Sequence, residues 1–193
     1  MQIPGSSVRQ TGCRKTGSED LVTFMNVSLS APVAQAAQTT TGNLGVVGAR
    51  FILDGALSQG RFSLVEHPII ARGMAAPLHL HTREDEYSFI LEGTWGFWQG
   101  GNVVFARPGD LVYKPRDVWH TFWNATDSPA RLLEIISPAG FDKFFVELAA
   151  LISSGEASPE TIAALNNGYG LQVDPAGTAS IAAEHRLVTA TPE

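Results

Sequence analysis

Cysteine is almost absent: Cys13 is the only one in 193 residues. A single thiol excludes an internal disulfide framework, and it excludes a zinc site built from several thiolates. Any bound metal must then be held by imidazole and carboxylate groups. Long apolar runs are lacking as well, none reaching the roughly 18 residues of a membrane span, so no membrane partner is expected. Charge is sparse, at 17% of residues with a net of -6, and the densest run, Arg83-Glu84-Asp85-Glu86, is mostly acidic. Without a basic stripe, nucleic acid is not an expected partner either. Arg14 and Lys15 precede residues 21–37, but Glu19 and Asp20 intervene. The Asn, Ser, Pro and Gln of that stretch make a poor signal core. A cytoplasmic protein is the expectation.

What remains is a chain of single-domain size, 44% hydrophobic, with a patchwork of local patterns. Residues 1–44 are rich in Ser, Thr, Gly, Gln and Ala without a sustained period, and read as a mobile N-terminal arm. Residues 45–137 contain short β-type runs at 46–53, 61–66, 69–72, 78–81, 87–91, 95–98, 103–106, 111–113, 119–123 and 131–136. Gly, Pro, Asn or Asp separates most of them, and Gln99-Gly100-Gly101-Asn102 is a hairpin signal. Many short strands with no helical pattern between them predict an antiparallel sandwich or barrel. Residues 138–193 form a helical segment and tail. Phe141, Phe144, Phe145 and Leu148 give one apolar helix face, and Ser158-Pro159-Glu160 starts a second helix with Gly168 as its stop.

Three of the five histidines enter one constellation. His79 and His81 stand two apart in a β context, so both point to one face with Cα atoms roughly 6.6 Å apart. That spacing lets two imidazoles converge on one ion at about 2.1 Å each. His120 arrives from a distant strand after Pro115-Arg116-Asp117. Three neutral imidazoles facing one small interior need a shared partner, and a metal supplies it. Among Glu84, Asp85 and Glu86, the alternation of the next strand favours Glu86, since Tyr87, Phe89 and Leu91 take the opposite face. Glu84 and Asp85 read as a solvated turn. Ser88, Ile90 and Phe122 share parity with Glu86 or His120 and are the expected substrate pocket. His67 and His185 stand alone and read as ordinary satisfied residues.

Two stretches resemble a known family. Gly73-Met-Ala-Ala-Pro-Leu-His79-Leu-His81-Thr-Arg-Glu-Asp-Glu86-Tyr-Ser-Phe-Ile-Leu-Glu-Gly93 is similar to the first cupin motif. Gly109-Asp-Leu-Val-Tyr-Lys-Pro115-Arg-Asp117-Val-Trp-His120-Thr-Phe-Trp-Asn124 is similar to the second. The resemblance implies a cupin-type β-barrel, a jelly roll with C-terminal helices. It implies His79, His81, Glu86 and His120 as ligands, in agreement with the reading of the residues themselves. Asp117 stands where the second motif usually has Gly; Asp tolerates the positive φ of that turn, so slight strain is expected and the site is kept. The trailing residues 140–148 are similar to the post-barrel helix of small cupins grouped with the quercetin dioxygenases.

Three imidazoles and one carboxylate leave positions open on a divalent transition metal ion, with Fe, Mn, Ni, Co, Cu and Zn all compatible. The first functional reading is a dioxygenase acting on a flavonol-like or enol-type small molecule, with Glu86 as both ligand and general base. The second is a metal-dependent isomerase, epimerase or decarboxylase, which would bring Lys, Arg or Tyr groups into the pocket; Arg83, Lys114 and Arg116 are the candidates, though they read as turn residues. The third is a non-catalytic small-molecule-binding module. Tyr87, Phe89 and Leu91 make an apolar outer face that the first strand, the first helix or a second subunit must cover, and a homodimer is the expected assembly.

Overall fold

A computed structural model describes residues 41–189. The strands are β1 (Thr41–Asn43), β2 (Gly48–Leu53), β3 (Ser63–Ile69), β4 (His79–His81), β5 (Asp85–Glu92), β6 (Trp95–Gln99), β7 (Asn102–Ala106), β8 (Leu111–Lys114), β9 (His120–Asn124) and β10 (Ala130–Ser137). Helices α1 (Asp142–Ser154) and α2 (Pro159–Tyr169) follow, then β11 (Leu171–Val173) and α3 (Pro175–His185). Of the arm expected over 1–44, residues 1–40 lie outside the described residues. Thr41–Asn43 pair antiparallel with β2, with Thr41 opposite Arg50, so regular structure is present ahead of Gly45.

The strands form two antiparallel sheets, ordered β1-β2-β3-β10-β5-β8 and β11-β4-β9-β6-β7. Their inner faces pack on each other: Val65, Ile90, Leu132 and Ile136 of the first meet Trp95, Phe97 and Phe122 of the second in one buried cluster. Strict alternation builds this core. Along β10, Ala130, Leu132, Glu134 and Ile136 are buried while the residues between them are half-covered, the period of two that a strand imposes. The β6–β7 hairpin turns through Gly100 and Gly101 at φ 55° and 90°, a two-residue loop whose positive dihedrals match the twist of its strands. The run at 61–66 falls mostly in β3, which ends at Ile69; the separate run expected at 69–72 is not a strand, since the chain turns at Ala71 and Arg72.

The C-terminal segment differs from the expectation of two helices and a featureless tail. Helix α2 has the expected Ser158 cap, closed reciprocally by Thr161, but it runs past Gly168 to a left-handed Gly170 at φ 70°. The chain then forms β11 along β4, with Leu171 opposite His81 and Val173 opposite His79. Three residues are too short to show a period. Asp174 then caps α3 by accepting the Gly177 N–H, and the Thr178 hydroxyl accepts the N–H of Leu78. Without β11, the strand that carries two histidines would be a sheet edge.

The outer surface keeps Val103, Val104 and Phe105 of β7 and Leu111 and Tyr113 of β8 exposed; Tyr87 stacks on Tyr113, and Phe89 is exposed. No helix among the described residues is long and apolar enough to cross a membrane.

Gly96 fixes how closely β6 approaches β9, because a Cβ there would overlap the Trp123 indole, which is itself 1% exposed. Gly96→Ala should lower stability by about 1–3 kcal/mol, the usual range for overpacking a filled core. Urea unfolding monitored by tryptophan fluorescence would show the shift.

Candidate metal centre

Strand pairing builds the site. β4 and β9 are neighbours with His79 directly opposite His120, and His81 lies two residues along on the same face. Glu86 faces them from the other sheet, where it stands opposite Lys114 in the β5–β8 ladder. The turn before β9 is held by Asp117 at φ 61°, whose N–H donates to the His81 carbonyl at 2.7 Å. The Asp tolerated there thus ties the third histidine to the strand of the first two.

One ligand atom from each of His79, His81, Glu86 and His120 lies within 4.8 Å of the others, and all four residues are buried. His81 Nε2 is 3.3 Å from Glu86 Oε1, and His120 Nε2 is 3.3 Å from Glu86 Oε2. His79 and His120 each donate Nδ1–H to a backbone carbonyl, of Pro77 at 2.7 Å and Val118 at 2.9 Å, which turns Nε2 of each toward the cluster. Both ring nitrogens of His81 are buried without a hydrogen-bond partner. Orphaned imidazole nitrogens converging with a carboxylate fit a divalent metal, which this cluster could hold.

The surroundings shift the cluster's groups in different directions. Burial and the neighbouring imidazoles hold His79 well below its ordinary value. Burial also depresses His81, but Glu86 and Glu84 outweigh it and carry His81 up to about 9. Burial opposes ionisation of Glu86, yet Lys114 and His81 hold its carboxyl well below the usual range.

Glu134 has no counterpart in the sequence reading, and Lys114, a candidate pocket cation there, lies on β8 and not in a turn. Lys114 is buried, with Nζ 2.9 Å from Glu86 Oε2 and 2.9 Å from Glu134 Oε2. Ser88 Oγ also donates to Glu134, at 2.9 Å and 3.1 Å to its two oxygens. Burial and the charge of Glu86 push the Glu134 carboxyl upward against the pull of Lys114. The signal was parity: Glu134 alternates with Leu132 and Ile136 on the inner face of β10. Glu84 also corrects its reading as a solvated residue, being buried with Oε2 3.7 Å from His81 Nδ1, while Asp85 pairs with Arg116 at the surface.

The cluster opens on a cavity of about 780 Å³, and its lining includes Glu86, Glu134, His67 and Phe122 together with Phe141, Phe144, Phe145 and Leu148 of the α1 region. Of the three residues expected in the substrate pocket, Phe122 is in the wall. Ser88 and Ile90 are not: both are buried behind it, Ser88 because its hydroxyl is taken by Glu134 and Ile90 because it packs in the sheet-to-sheet core. His67 is no bystander, since it lines the same cavity. His185 stacks on Trp123, with ring centroids 4.5 Å apart.

Residues 69–136 match the family model described as the Cupin domain. Among solved structures, KdgF from Halomonas sp. aligns with a TM-score of 0.52 at 14% identity, covering 59% of this chain and 99% of that one. A predicted oxalate decarboxylase from Thermotoga maritima aligns with a TM-score of 0.52 at 18% identity, covering 55% of this chain and 99% of that one. Such identities show the fold: a mostly-β cupin jelly roll with C-terminal helices. No curated protein matches the chain.

Lys114 is the shared partner of two buried carboxylates. Lys114→Met should therefore cost about 3–5 kcal/mol in urea unfolding, the usual penalty for stranding a buried charge. Adding Glu134→Gln should recover part of it. His67 gives a pH signature. Burial holds its folded-state pKa at about 4 against an ordinary 6.5, so the unfolded chain takes up the proton first as pH falls. Its contribution is complete above about pH 6.5 and is lost on descent toward pH 4, a drop on the order of 3 kcal/mol. Comparing unfolding free energies of the wild type and His67→Phe at pH 7 and pH 4 isolates that share.

Proposed function

We propose, taking as premise the cupin superfamily that the domain match and the fold support, that this chain is a metal-dependent dioxygenase of an enol-type or flavonol-like small molecule. One observation carries this reading: the His79–His81–Glu86–His120 cluster opens into a cavity whose lining, among the described residues, contains no Lys, Arg or Tyr and is mostly aliphatic and aromatic. A sugar, sugar phosphate or small diacid would leave its polar groups unmet against such a wall. That weighs against the isomerase, epimerase or decarboxylase alternative. A flat, largely apolar molecule with one acidic hydroxyl suits it.

In this proposal His79, His81, His120 and Glu86 hold the metal. When bound, a transition metal there supplies Lewis acidity toward a substrate oxygen and, if redox-active, chemistry with dioxygen. Glu86 takes the proton of the enol hydroxyl. Lys114, donating to Glu86 Oε2, keeps that carboxylate ionised and thus ready to accept. Phe122, Phe141 and Phe144 line the wall and exclude water from the resulting anion. The working unit in this reading is a cytoplasmic homodimer, which the exposed Val103, Val104, Phe105 and Leu111 support as a surface for a second copy.

Metal analysis of purified protein combined with oxygen uptake on 3-hydroxyflavone tests the proposal. The wild type should carry one transition metal per chain, and His81→Ala should lose most of it while staying folded. Glu86→Gln should slow oxygen consumption about 10²- to 10⁴-fold, the usual weight of a general base, with a smaller loss of metal. A metal-loaded wild type that consumes no oxygen with any enol-type substrate would overturn the dioxygenase reading and favour the binding module.

A further inference from the structure

The six-stranded sheet presents to the cavity two polar side chains that the metal cluster does not use. Glu134 on β10 and His67 on β3 both line it. Their strands pair with His67 opposite Leu132, one inward-facing step along β10 from Glu134. The hydrogen bonding of each is fixed from behind. Glu134 Oε2 accepts from Lys114 Nζ and Ser88 Oγ, both at 2.9 Å, whereas Oε1 has only a share of the same Ser88 proton at 3.1 Å. His67 Nδ1 lies 2.9 Å from the Gly48 carbonyl. A carbonyl only accepts, so Nδ1 carries the hydrogen and Nε2 is a bare acceptor with no protein partner among the described residues. Two acceptors with spare capacity thus stand on one wall of a cavity that is otherwise mostly apolar.

We infer that Glu134 and His67 form a second subsite, which accepts hydrogen bonds from a neutral hydroxyl of the ligand. The ligand is then a mostly apolar molecule with two kinds of oxygen: an acidic one for the metal cluster and at least one further hydroxyl for this wall. Charge selects the class. An ammonium group at Glu134 would meet the Lys114 ammonium directly behind it, and a carboxylate or phosphate would meet Glu134 itself. A hydroxyl meets neither objection. This inference rests on the preceding reading only for the metal-bound oxygen; the subsite follows from the two acceptors.

The test uses 3-hydroxyflavone, which has the acidic hydroxyl alone, beside a set of its monohydroxylated derivatives, isomers of one another with the added hydroxyl on either ring system. Binding to the metal-loaded full chain is read by tryptophan quenching at pH 8 without oxygen. At least one hydroxylated isomer should bind the wild type about tenfold more tightly than the parent, the weight of one or two such hydrogen bonds. Glu134→Gln, which can turn a donor amide toward the cavity, and His67→Phe, which removes the acceptor at similar size, should each erase most of that gain. The gain is read as the ratio of derivative to parent affinity within each protein, so a shift common to both compounds cancels and the added hydrogen bond alone enters the ratio. The inference is overturned if no isomer outbinds the parent, or if the gain survives both substitutions. Hydroxylated isomers that bind through Glu134 and His67 while the parent fails to bind would keep the subsite and remove the enol reading. Failure of every compound to bind would remove both.

Discussion

One buried ammonium sets the terms for everything on the inner face of the barrel. Lys114 sits with its nitrogen 2.9 Å from a carboxylate on either side and 4.0 Å from the centre of the Phe122 ring. Removing three charged groups from water costs several kcal/mol for each, and their mutual attraction offsets that only when geometry is tight and the remaining lone pairs are met. The geometry is tight: Ser88 donates to Glu134 from one side, and the imidazoles of His81 and His120 stand 3.3 Å from the two oxygens of Glu86, while Glu134 Oε1 keeps spare accepting capacity. Stability alone would be served as well by hydrophobic residues of similar volume. What the charges add is position, since Glu86 is held from behind by a cation and can turn neither away from the histidines nor further into the cavity.

The backbone makes that position possible. His79 and His120 are directly opposed residues of neighbouring strands, and Glu86 and Lys114 are the same in the other sheet. Each pair is therefore fixed by ladder register, which no side-chain rotation can alter. β11 matters in the same way. By covering the free edge of β4 it pairs both sides of a three-residue strand that bears two of the four cluster residues. A short strand left at an edge would fray, and its imidazoles would move with it.

Most of the barrel and the whole histidine–carboxylate cluster were legible in the sequence, because both rest on the period of two and on spacing within a strand. His79 and His81 announce a shared face, and Glu86 follows from the alternation of Tyr87, Phe89 and Leu91. What could not be read depends on pairings between distant segments. Ser88 and Ile90 have the right parity, yet parity says only that a side chain points inward, not whether it meets a cavity or another side chain. Glu134 carried a readable sign, a charge set between Leu132 and Ile136, but its partner Lys114 lies on a strand not adjacent to β10, and nothing local joins them. β11 is three residues long and shows no period. Its place is decided by the free hydrogen-bonding edge of β4, a property of the folded sheet.

The division of the cavity wall bears on how specificity is built. Its titratable groups, His67, His79, His81, Glu86 and Glu134, come from the two sheets, where register fixes them, whereas much of its apolar surface comes from Phe141, Phe144, Phe145, Leu148 and Ile152, at and within α1. A helix packed on a barrel end can shift or exchange side chains without disturbing ladder hydrogen bonds, as a strand cannot. Phe141 joins the two systems, since its ring lies edge-on to His81 with centroids 4.3 Å apart and stacks on Phe144 at 4.7 Å. The chemistry of the site thus belongs to the rigid part of the molecule and the shape of the ligand to the adaptable part. Phe141 is the contact through which a change in one is felt by the other.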